Sequence, residues 1–496
     1  MASEMFSSVV IEGETIKSSW KSDRRMKDSE SQTGVLEMKD SECQAIERTS
    51  AEVQTLNLET QHLILAEYDE KSLGAFLTRI TPALLKELDK NLRSNVFQGY
   101  DLINDESTEL LTKVHSLKYS DIPDEMFGCT GVSWNCTGTV VAVSYGYRQH
   151  ENWCDHHGII CSWSLDRVDF EPNTPQKKFE HSCCITSITF CPKTPFLIAA
   201  GTFIGEVLLL DTSENVDMLL SSTETGEKGH HDTVTDIAWV GNENGNLQLV
   251  TCGLDGKILI WERNTQSIKL KLHKAFIILA GNLPTSLRIK SSRQFSEVGI
   301  NSMSFNVEDK CLFVIGSEGG GVLQCSLESQ LPTNSDIKFV MDLKNPVALG
   351  HNPHKGHVNS VASSPFSRNI FVSCGSDGEI RIYNYNQANA PLRTIYSENS
   401  PIRAAWSPTK PLLIAVVTAN GLLNVYDLRL TEKPIVSSKL AEDGLNACVL
   451  EFSHKNPKYL ATGAEDASVQ IWSLHEKLIV PASNELETLH KMGKII

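Results

Sequence analysis

Residues 249–262 read LVTCGLDGKILIWE, and the fold can be predicted by working outward from this stretch. Two apolar runs flank a turn that contains two glycines and an aspartate, and the second run ends on an aromatic residue. Thr251 precedes Asp255 by four residues, and Asp255 precedes Trp261 by six. Short apolar runs joined by a glycine-containing turn are typical of paired β-strands.

The same spacing occurs three times in the chain. In each copy a small hydroxyl residue is followed four residues later by aspartate, which is followed six residues later by an aromatic residue. The three copies are Thr251/Asp255/Trp261, Ser373/Asp377/Tyr383 and Thr462/Asp466/Trp472. Because all three lie in the same strand–turn–strand context, we expect a repeated β unit.

Four degenerate copies occupy the gaps, so that the repeat extends from about residue 128 onward. The last position of the motif falls at residues 163, 210, 261, 325, 383, 426 and 472, in steps of 43 to 64 residues. A four-stranded propeller blade repeats every ~40–45 residues, with longer steps where loops are inserted. The sequence therefore predicts an all-β fold, a seven-bladed β-propeller, and it resembles the WD-repeat family.

In the WD-repeat family a histidine before the blade, the hydroxyl residue, the turn aspartate and the tryptophan form a buried hydrogen-bonded network. The resemblance assigns this network to His230/Thr251/Asp255/Trp261, to His354/Ser373/Asp377/Tyr383 and to Thr462/Asp466/Trp472, with Asp443 where the last histidine would stand. A buried aspartate must be paired, so we interpret these residues as structural and not catalytic. The second, fourth and sixth copies lack the aspartate, and we expect those blades to rely on packing alone.

Composition separates the repeats from the residues that precede them. Residues 1–70 are rich in Ser, Glu, Lys, Asp and Thr, and we expect a disordered tail.

We find no secretory signal and no apolar run near the ~20 residues that a bilayer requires, so we expect a cytosolic protein without membrane insertion. The 13 cysteines include no CxxC pair and are expected to be reduced thiols. With 45 Lys and Arg against 61 Asp and Glu, the net charge of −16 argues against a nucleic-acid partner.

Two similar tripeptides stand out in the predicted tail. They are Ser31-Gln32-Thr33 and Val53-Gln54-Thr55. An extended peptide of this kind can add a strand to an exposed sheet edge of a partner, with alternate side chains filling pockets. Two such peptides on one chain also gain from effective concentration once the first is bound.

A predicted helical segment follows the tail. Residues 72–97 carry an apolar stripe at helical spacing. Its members are Leu73, Phe76, Leu77, Ile80, Leu84, Leu88 and Leu92. Pro82 directly after Thr81 predicts a short helix, a break and then a longer helix. Two interpretations stay open: a helix packed on the rim of the propeller, and a helix that docks a partner.

The order of tail motifs, helix and seven-bladed WD propeller resembles the dynein intermediate chains. AFLTRITPALLKELDKN in the helix and GVSWNCTGTVVAVSYG in the first repeat are most similar to those of cytoplasmic dynein 2. We therefore expect a tail with light-chain-binding motifs at 1–70, a helical docking segment and linker at 71–120, the propeller at 121–476 and a C-terminal tail at 477–496.

This resemblance implies a set of partners and a cellular role. The two tail tripeptides would bind the small dimeric light chain that recognises a Thr-Gln-Thr-like core, and the helical stripe would bind a roadblock-type light chain. The propeller would bind the dynein 2 heavy chain, and the light chains would pair this chain with a second dynein 2 intermediate chain. The resemblance further implies retrograde intraflagellar transport and cilium assembly, in the cytoplasm and cytoskeleton and at the ciliary base and axoneme.

We expect no catalytic residues, no cofactor and no metal. A GxxxxGK[ST] phosphate-binding loop does not occur in the sequence. CDHH at 154–157 and HSCC at 181–184 contain metal-ligand residue types, but adjacent ligands on a strand point to opposite faces and no second pair stands at ligand spacing. These side chains are expected in loops and in the core.

An alternative function belongs to a different class of protein. Residues 425–429 read VYDLR and resemble the [WY]-D-x-R box with which some propeller proteins dock the adaptor of cullin-4 ubiquitin ligases. The alternative is therefore a substrate receptor of such a ligase, which would depend on Arg429. Propeller blades often end on an aromatic–aspartate pair, so we rank the intermediate-chain function first.

Overall fold

The computed structural model divides the chain into two compact units, Met1–Glu106 and Ser107–Ile496. It describes residues 70–93, 109–122, 126–147, 150, 154–214, 217–242, 245–263, 269–284, 287–288, 295–333, 337–429, 433–440 and 446–494. Within these ranges, helices long and apolar enough to span a lipid bilayer are not found. The predicted disordered tail lies outside the described residues.

In the first unit the described residues form one helix, α1 (Glu70–Arg93). The break predicted at Pro82 is wrong, because the helix continues through that residue. A proline inside a helix removes one backbone hydrogen bond and disfavours the turn before it. The Thr81 hydroxyl donates to the carbonyl oxygen of Leu77 at 2.6 Å, an additional bond in the turn that precedes the proline.

Within its described residues the second unit forms seven sheets, the blades, numbered here in chain order; all strand pairs are antiparallel except that of β13 (Leu270–Ile277) with β18 (Lys344–Asn345). A strand that precedes blade 1, β1 (Leu111–Leu117), belongs to blade 7. Blades 1 to 3 contain β2 (Phe127–Trp134), β3 (Val140–Tyr147), β4 (Gly158–Ser164) and β5 (Lys177–His181); β6 (Ile185–Phe190), β7 (Leu197–Thr202), β8 (Val207–Asp211) and β9 (Leu219–Ser222); and β10 (Val234–Gly241), β11 (Leu247–Gly253), β12 (Lys257–Arg263) and β13 (Leu270–Ile277).

The remaining blades repeat this arrangement, and blade 3 gains two short strands from a later connection. The strands are β14 (Ile300–Phe305), β15 (Leu312–Ser317) and β16 (Val322–Ser326) of blade 4; β17 (Leu331–Pro332) and β18 (Lys344–Asn345) added to blade 3; β19 (Val347–Gly350) of blade 4; β20 (Val358–Ser363), β21 (Ile370–Gly375), β22 (Glu379–Asn384) and β23 (Arg393–Tyr396) of blade 5; β24 (Pro401–Trp406), β25 (Leu413–Thr418), β26 (Leu422–Asp427) and β27 (Val436–Lys439) of blade 6; and β28 (Ala447–Phe452), β29 (Tyr459–Ala464) and β30 (Val469–Leu474) of blade 7.

The predicted seven-bladed architecture is confirmed. The seven motif-end positions, residues 163, 210, 261, 325, 383, 426 and 472, all lie in the third strand of their blades. The 64-residue step before residue 325 contains β13 and the connection that follows it. Loop insertion therefore explains the uneven spacing.

The ring closes through its first strands. The first strand of each blade contacts the first strand of the next, in the circuit β2, β6, β10, β14, β20, β24, β28 and back to β2. Middle strands pack between neighbouring blades and are buried on both faces, as in β7, whose residues are all buried. This burial explains why LIAAGT at 197–202 reads as a continuous apolar run instead of an alternating one.

Strand β1 closes blade 7 from the other end of the chain. It pairs antiparallel with β30, with Leu111 opposite Leu474 and Leu117 opposite Val469. We had expected these residues in the linker, before a propeller that starts at residue 121. The two paired strands are far apart in the sequence: Thr112 and Ser473, for example, are 361 positions apart. The local sequence around β1 therefore does not indicate that it pairs with β30.

The C-terminal residues form two short helices, α2 (Glu476–Ile479) and α3 (Glu485–Gly493). Leu489 on α3 is buried in a core cluster shared with blades 5 and 6. Asn384 at the end of β22 donates its side-chain N–H to the carbonyl oxygen of Gly493 at 3.0 Å. The segment expected as a C-terminal tail is thus packed on the propeller.

Candidate functional site

The apolar stripe of α1 is exposed to solvent along its described length. Leu73, Phe76, Leu77, Ile80, Leu84 and Leu88 are between 36% and 54% exposed. At 100° per residue these six positions fall within about one third of the helix circumference. The described part of the stripe therefore presents one continuous apolar face.

Some predicted site residues lie outside the described part of the chain. They are Ser31, Gln32, Thr33, Val53, Gln54 and Thr55 in the tail, and Asp443 before blade 7. Leu92 lies within α1, but its side chain is not described. The roles assigned to these residues stay predictions.

In blade 3 the structure brings all four predicted network residues together. The Asp255 carboxylate accepts a hydrogen bond from Nδ1–H of His230 at 3.0 Å. The Thr251 hydroxyl lies 2.8 Å from Nε2 of His230, and it accepts from the indole N–H of Trp261 at 3.0 Å. The network ties the connection before the blade to its second and third strands.

Electrostatics around Asp255 favour the charged carboxylate. Burial alone would raise its pKa, but the charge and hydrogen bond of His230, the Lys257 ammonium and the backbone N–H of His231 lower it to about 2. The side chains of Asp255 and His230 are fully enclosed. A substrate therefore cannot reach this pair, which fits a structural role.

Blade 5 contains the same histidine, aspartate and hydroxyl network, with a tyrosine in place of the tryptophan. His354 Nδ1–H donates to Asp377 at 2.9 Å, and Nε2 lies 2.6 Å from the Ser373 hydroxyl. The Tyr383 hydroxyl, at the position of the tryptophan, donates to the carbonyl oxygen of Asn352 at 2.7 Å. The tyrosine thus extends the network toward the connection before the blade.

Blades 7 and 2 each contain only part of the polar network seen in blade 3. In blade 7 the indole N–H of Trp472 donates to Thr462 at 2.9 Å, while Asp466 accepts from the backbone N–H of Ser468 at 3.0 Å. Blade 2 lacks the aspartate, but its Glu206 carboxylate lies 3.4 Å from Nε2 of His181, the last residue of β5 in blade 1. The expectation that blade 2 relies on packing alone is therefore wrong.

Three residues with ionisable side chains lie around the middle of the ring. Asp236, Arg403 and Glu451 all line a cavity of about 180 Å³ bounded by first strands of the blades. Asp236 accepts from the backbone N–H of Met303 at 3.0 Å, and its carboxylate is 4.0 Å from the Arg403 guanidinium. Burial raises the pKa of Glu451 to about 8, against the opposing charge of Arg403.

Two histidines and two cysteines converge where blade 1 meets blade 2. One potential ligand atom from each of His150, Cys154, His156 and Cys184 lies within 4.8 Å of the other three. His150, Cys154 and His156 lie in the connection between β3 and β4, and Cys184 lies between β5 and β6. We call this set the His–Cys cluster.

The arginine of the VYDLR segment has intramolecular partners. One guanidinium nitrogen of Arg429 lies 2.5 Å from Asp427 and 2.9 Å from Glu485. The Glu485 side chain is completely buried, and Lys410 is its second cationic neighbour, at 3.6 Å. Arg429 therefore holds α3 on blade 6.

Sequence reasoning missed several of these groups. His150 is not among the candidates considered, although His-x₃-Cys-x-His at 150–156 places three potential ligand residues on one connection. Cys184 comes from the next blade, so only the ring geometry reveals its position. The Arg429–Glu485 pair likewise joins a blade to a helix with no sequence signal of its own.

Comparison with known proteins gives two independent results. The WD domain, G-beta repeat family profile matches residues 222–262, 347–384 and 439–473. These segments end in blades 3, 5 and 7, the three blades with the complete spacing of hydroxyl, aspartate and aromatic residue. The match agrees with the propeller described above.

The chain is also similar to curated proteins over nearly its whole length. It is 32% identical to cytoplasmic dynein 2 intermediate chain 2 from Mus musculus, covering 96% of this chain and 90% of that protein. It is 32% identical to the Homo sapiens protein of the same name, over 86% and 80% of the two chains. Cytoplasmic dynein 1 intermediate chain from Drosophila melanogaster is 22% identical, over 88% and 61%. With this extent of similarity and a seven-bladed WD propeller, the chain belongs to the family of dynein intermediate chains, among them cytoplasmic dynein 2 intermediate chain 2.

Proposed function

We propose that this chain is a non-catalytic subunit of the cytoplasmic dynein 2 motor that links the heavy chain to light chains. The observation that carries the proposal is the 32% identity to relatives named cytoplasmic dynein 2 intermediate chain 2 over most of both lengths. The role includes retrograde intraflagellar transport and cilium assembly. Its sites of action are the cytoplasm, the ciliary base and the axoneme.

In this proposal the propeller binds the heavy chain. A closed ring has no free inner edge, and its blades pack into one rigid body that can hold a partner without ordering cost. The buried networks of blades 3 and 5 support this role, because they fasten the connections between blades. Their enclosure argues for stability and against catalysis.

The helix α1 binds a roadblock-type light chain in this proposal. Its exposed stripe of leucines, with Phe76 and Ile80, is the pattern of a helix that lays its apolar face into a partner's groove. Large exposed apolar faces are rare on proteins that act alone, and they mark interaction sites. Of the two interpretations left open by the sequence, we favour the docking helix, which is the one that the resemblance to dynein intermediate chains implies.

The tail tripeptides bind the small dimeric light chain in this proposal. The chain contains two of them, Ser31–Thr33 and Val53–Thr55, so a dimeric light chain at each would align this chain with a second intermediate chain. The avidity of the two sites explains why each can be weak alone. The assignment rests on the sequence resemblance.

The first test is affinity purification of the tagged full chain from ciliated cells. Leu77→Glu with Leu84→Glu places two charges in the exposed stripe, and we expect roadblock-type light chains to fall at least about tenfold. Lys86→Glu, on the opposite side of the same helix, is the matched control and should retain them. Equal recovery of these light chains from the stripe variant and from the control would contradict the docking role.

The second test separates the motor function from the ligase alternative. Gln32→Ala with Gln54→Ala should remove the small dimeric light chain and leave the heavy chain bound. Arg429→Ala should leave all dynein subunits bound, since its partners Asp427 and Glu485 are intramolecular. Recovery of a cullin-4 adaptor that depends on Arg429, without heavy chain, would replace the proposal with the alternative.

A further inference from the structure

We propose that the His–Cys cluster is a structural zinc site that fastens blade 1 to blade 2. The cluster supplies two imidazoles and two thiols, a ligand set that zinc occupies in structural sites with tetrahedral geometry. Its four members come from two connections, His150, Cys154 and His156 from one and Cys184 from the other.

The dimensions of the cluster fit a zinc ion after a small contraction. Zinc–sulfur bonds of ~2.3 Å and zinc–nitrogen bonds of ~2.0–2.1 Å put tetrahedral ligand atoms about 3.3–3.8 Å apart. The four ligand atoms are already within 4.8 Å of one another. Each must move inward by less than about 1 Å, which side-chain rotation can supply.

Both cysteine sulfurs accept backbone hydrogen bonds. The N–H of Tyr147 donates to Sγ of Cys184 at 3.3 Å, and the N–H of Cys184 donates to Sγ of Cys154 at 3.4 Å. Outer hydrogen bonds of this kind orient metal ligands and stabilise thiolates. Two thiolates would also neutralise the charge of the ion, which removes the penalty of burying it.

Each of the two imidazoles is held in place by an aromatic ring. The ring of His150 stacks on Phe203 at 4.0 Å, and that of His156 stacks on Tyr147 at 3.9 Å. Among the described residues, buried Nε2 of His150 and buried Nδ1 of His156 form no hydrogen bond. The carboxylate of Asp155 is 3.5 Å from the latter. A buried nitrogen without a partner is costly, and a metal ion would satisfy it at His150.

Two glycines near the cluster allow the backbone of blade 1 to lie close to the residues that precede blade 2. A Cβ atom on Gly158 would lie 2.3 Å from the carbonyl oxygen of Cys183, and one on Gly146 would lie 3.1 Å from Cβ of Cys184. These two glycines allow the β3–β4 connection to reach the start of blade 2. The His181–Glu206 pair already joins the end of β5 to blade 2, and the metal would add a second connection at this junction.

Zinc content of the full chain tests the proposal. We expect untagged protein, purified from zinc-supplemented medium and dialysed, to hold about one zinc per chain by mass spectrometry. Cys184→Ser and His150→Ala should each lower the content at least about fivefold. Cys191→Ser changes a buried thiol that belongs to a different core cluster, and this control should retain the zinc. Equal zinc in Cys184→Ser and in the wild type would overturn the proposal.

Two measurements on the wild-type chain remain decisive if the variants do not fold. Replacing zinc with Co²⁺ should produce the visible absorption of a tetrahedral sulfur–nitrogen site and a thiolate charge-transfer band. Native alkylation should spare Cys154 and Cys184 until a chelator is added. Absence of zinc with no tetrahedral cobalt spectrum, or a disulfide between Cys154 and another cysteine in the freshly purified chain, would refute the site.

Discussion

Arg429 at the end of β26 lies 2.9 Å from Glu485, the first residue of α3, whose side chain is completely enclosed. A buried carboxylate is stable only when it is paired, so this contact decides whether α3 stays on the propeller. The arginine also contacts Asp427, and thus one guanidinium joins the third strand of blade 6 to the C-terminal helix. Residues beyond the repeats therefore contribute to the fold of the propeller unit.

Replacing this arginine should loosen the C-terminal helix. We expect Arg429→Ala to lower the free energy of unfolding by about 1–3 kcal/mol, because Glu485 loses its closest cation. Hydrogen exchange of residues 485–493 should accelerate by about tenfold or more. Mass spectrometry of deuterium uptake checks both the position and the size of the effect.

An exposed ion pair provides the control for this change. Arg368 and Glu308 are 3.8 Å apart and each more than 60% exposed. Such pairs contribute between 0 and about 1 kcal/mol, so Arg368→Ala should leave unfolding and exchange nearly unchanged. Unaltered exchange at 485–493 in Arg429→Ala would mean that α3 is held by its apolar contacts alone.

The network of blade 3 should make stability depend on acidic pH. The pKa of Asp255 is about 2 in the folded chain, below its ordinary value of 3.8. A lowered pKa stabilises the folded state above pH 4, and this contribution of about 2 kcal/mol is lost as the pH falls toward 2. Denaturant unfolding across pH 2–7 should show the loss in the wild type and not in Asp255→Asn.

The asparagine variant should also be less stable at neutral pH. It retains a side chain of similar size but gives up the charge that pairs with His230, so we expect about 2 kcal/mol of destabilisation at pH 7. Glu308→Gln removes an exposed carboxylate and should follow the wild type at every pH. Parallel pH profiles for wild type and Asp255→Asn would contradict the network's contribution.

The repeats could be predicted because their information is local. The first three strands of each blade follow one another in the chain, so the spacing of Thr251, Asp255 and Trp261 within one hairpin already encodes the turn and its network. Three complete copies and four degenerate ones together predict seven blades. The degenerate copies could be found because their positions were constrained by the complete ones.

What the sequence could not predict involves contacts between distant segments. Strand β1 has too few apolar residues to be recognised without its partner β30. The His–Cys cluster combines His150 with Cys184 across a blade junction, and only the closed ring places them together. The break predicted at Pro82 is wrong because Thr81-Pro82 also fits the start of a second helix, whereas the Thr81 hydroxyl bonds back to the preceding turn of α1.

Close backbone packing at Gly158 yields a prediction that does not depend on bound metal. A Cβ atom there would lie 2.3 Å from the Cys183 carbonyl oxygen and 2.7 Å from the backbone nitrogen of Ile185. Backbone atoms cannot rotate away, so we expect Gly158→Ala to cost about 1–3 kcal/mol in denaturant unfolding. Gly319→Ala, where no atom lies within 4 Å of the added carbon, should change stability by less than about 1 kcal/mol. Equal stabilities of the two variants would show that blades 1 and 2 can separate locally.

Glu451 in the central cavity should have the opposite effect on pH dependence from Asp255. Burial raises the pKa of this carboxyl from 4.5 to about 8, so the folded chain keeps it protonated while the unfolded chain ionises. Stability should therefore fall as the pH rises from about 4.5 to 8. The cavity that Glu451 lines is large enough for water, which reduces the penalty to about 1–3 kcal/mol near pH 8.

A neutral side chain of the same shape should remove this penalty. We expect Glu451→Gln to match the wild type at pH 4 and to exceed its unfolding free energy by about 1–3 kcal/mol at pH 8 and above. Glu308→Gln again serves as the exposed control. If Glu451→Gln is instead less stable than the wild type at pH 8, the carboxylate is ionised and its attraction to Arg403 outweighs burial. The sign of the difference in unfolding free energy between Glu451→Gln and the wild type at pH 8 therefore decides whether burial or the attraction to Arg403 determines the charge of Glu451.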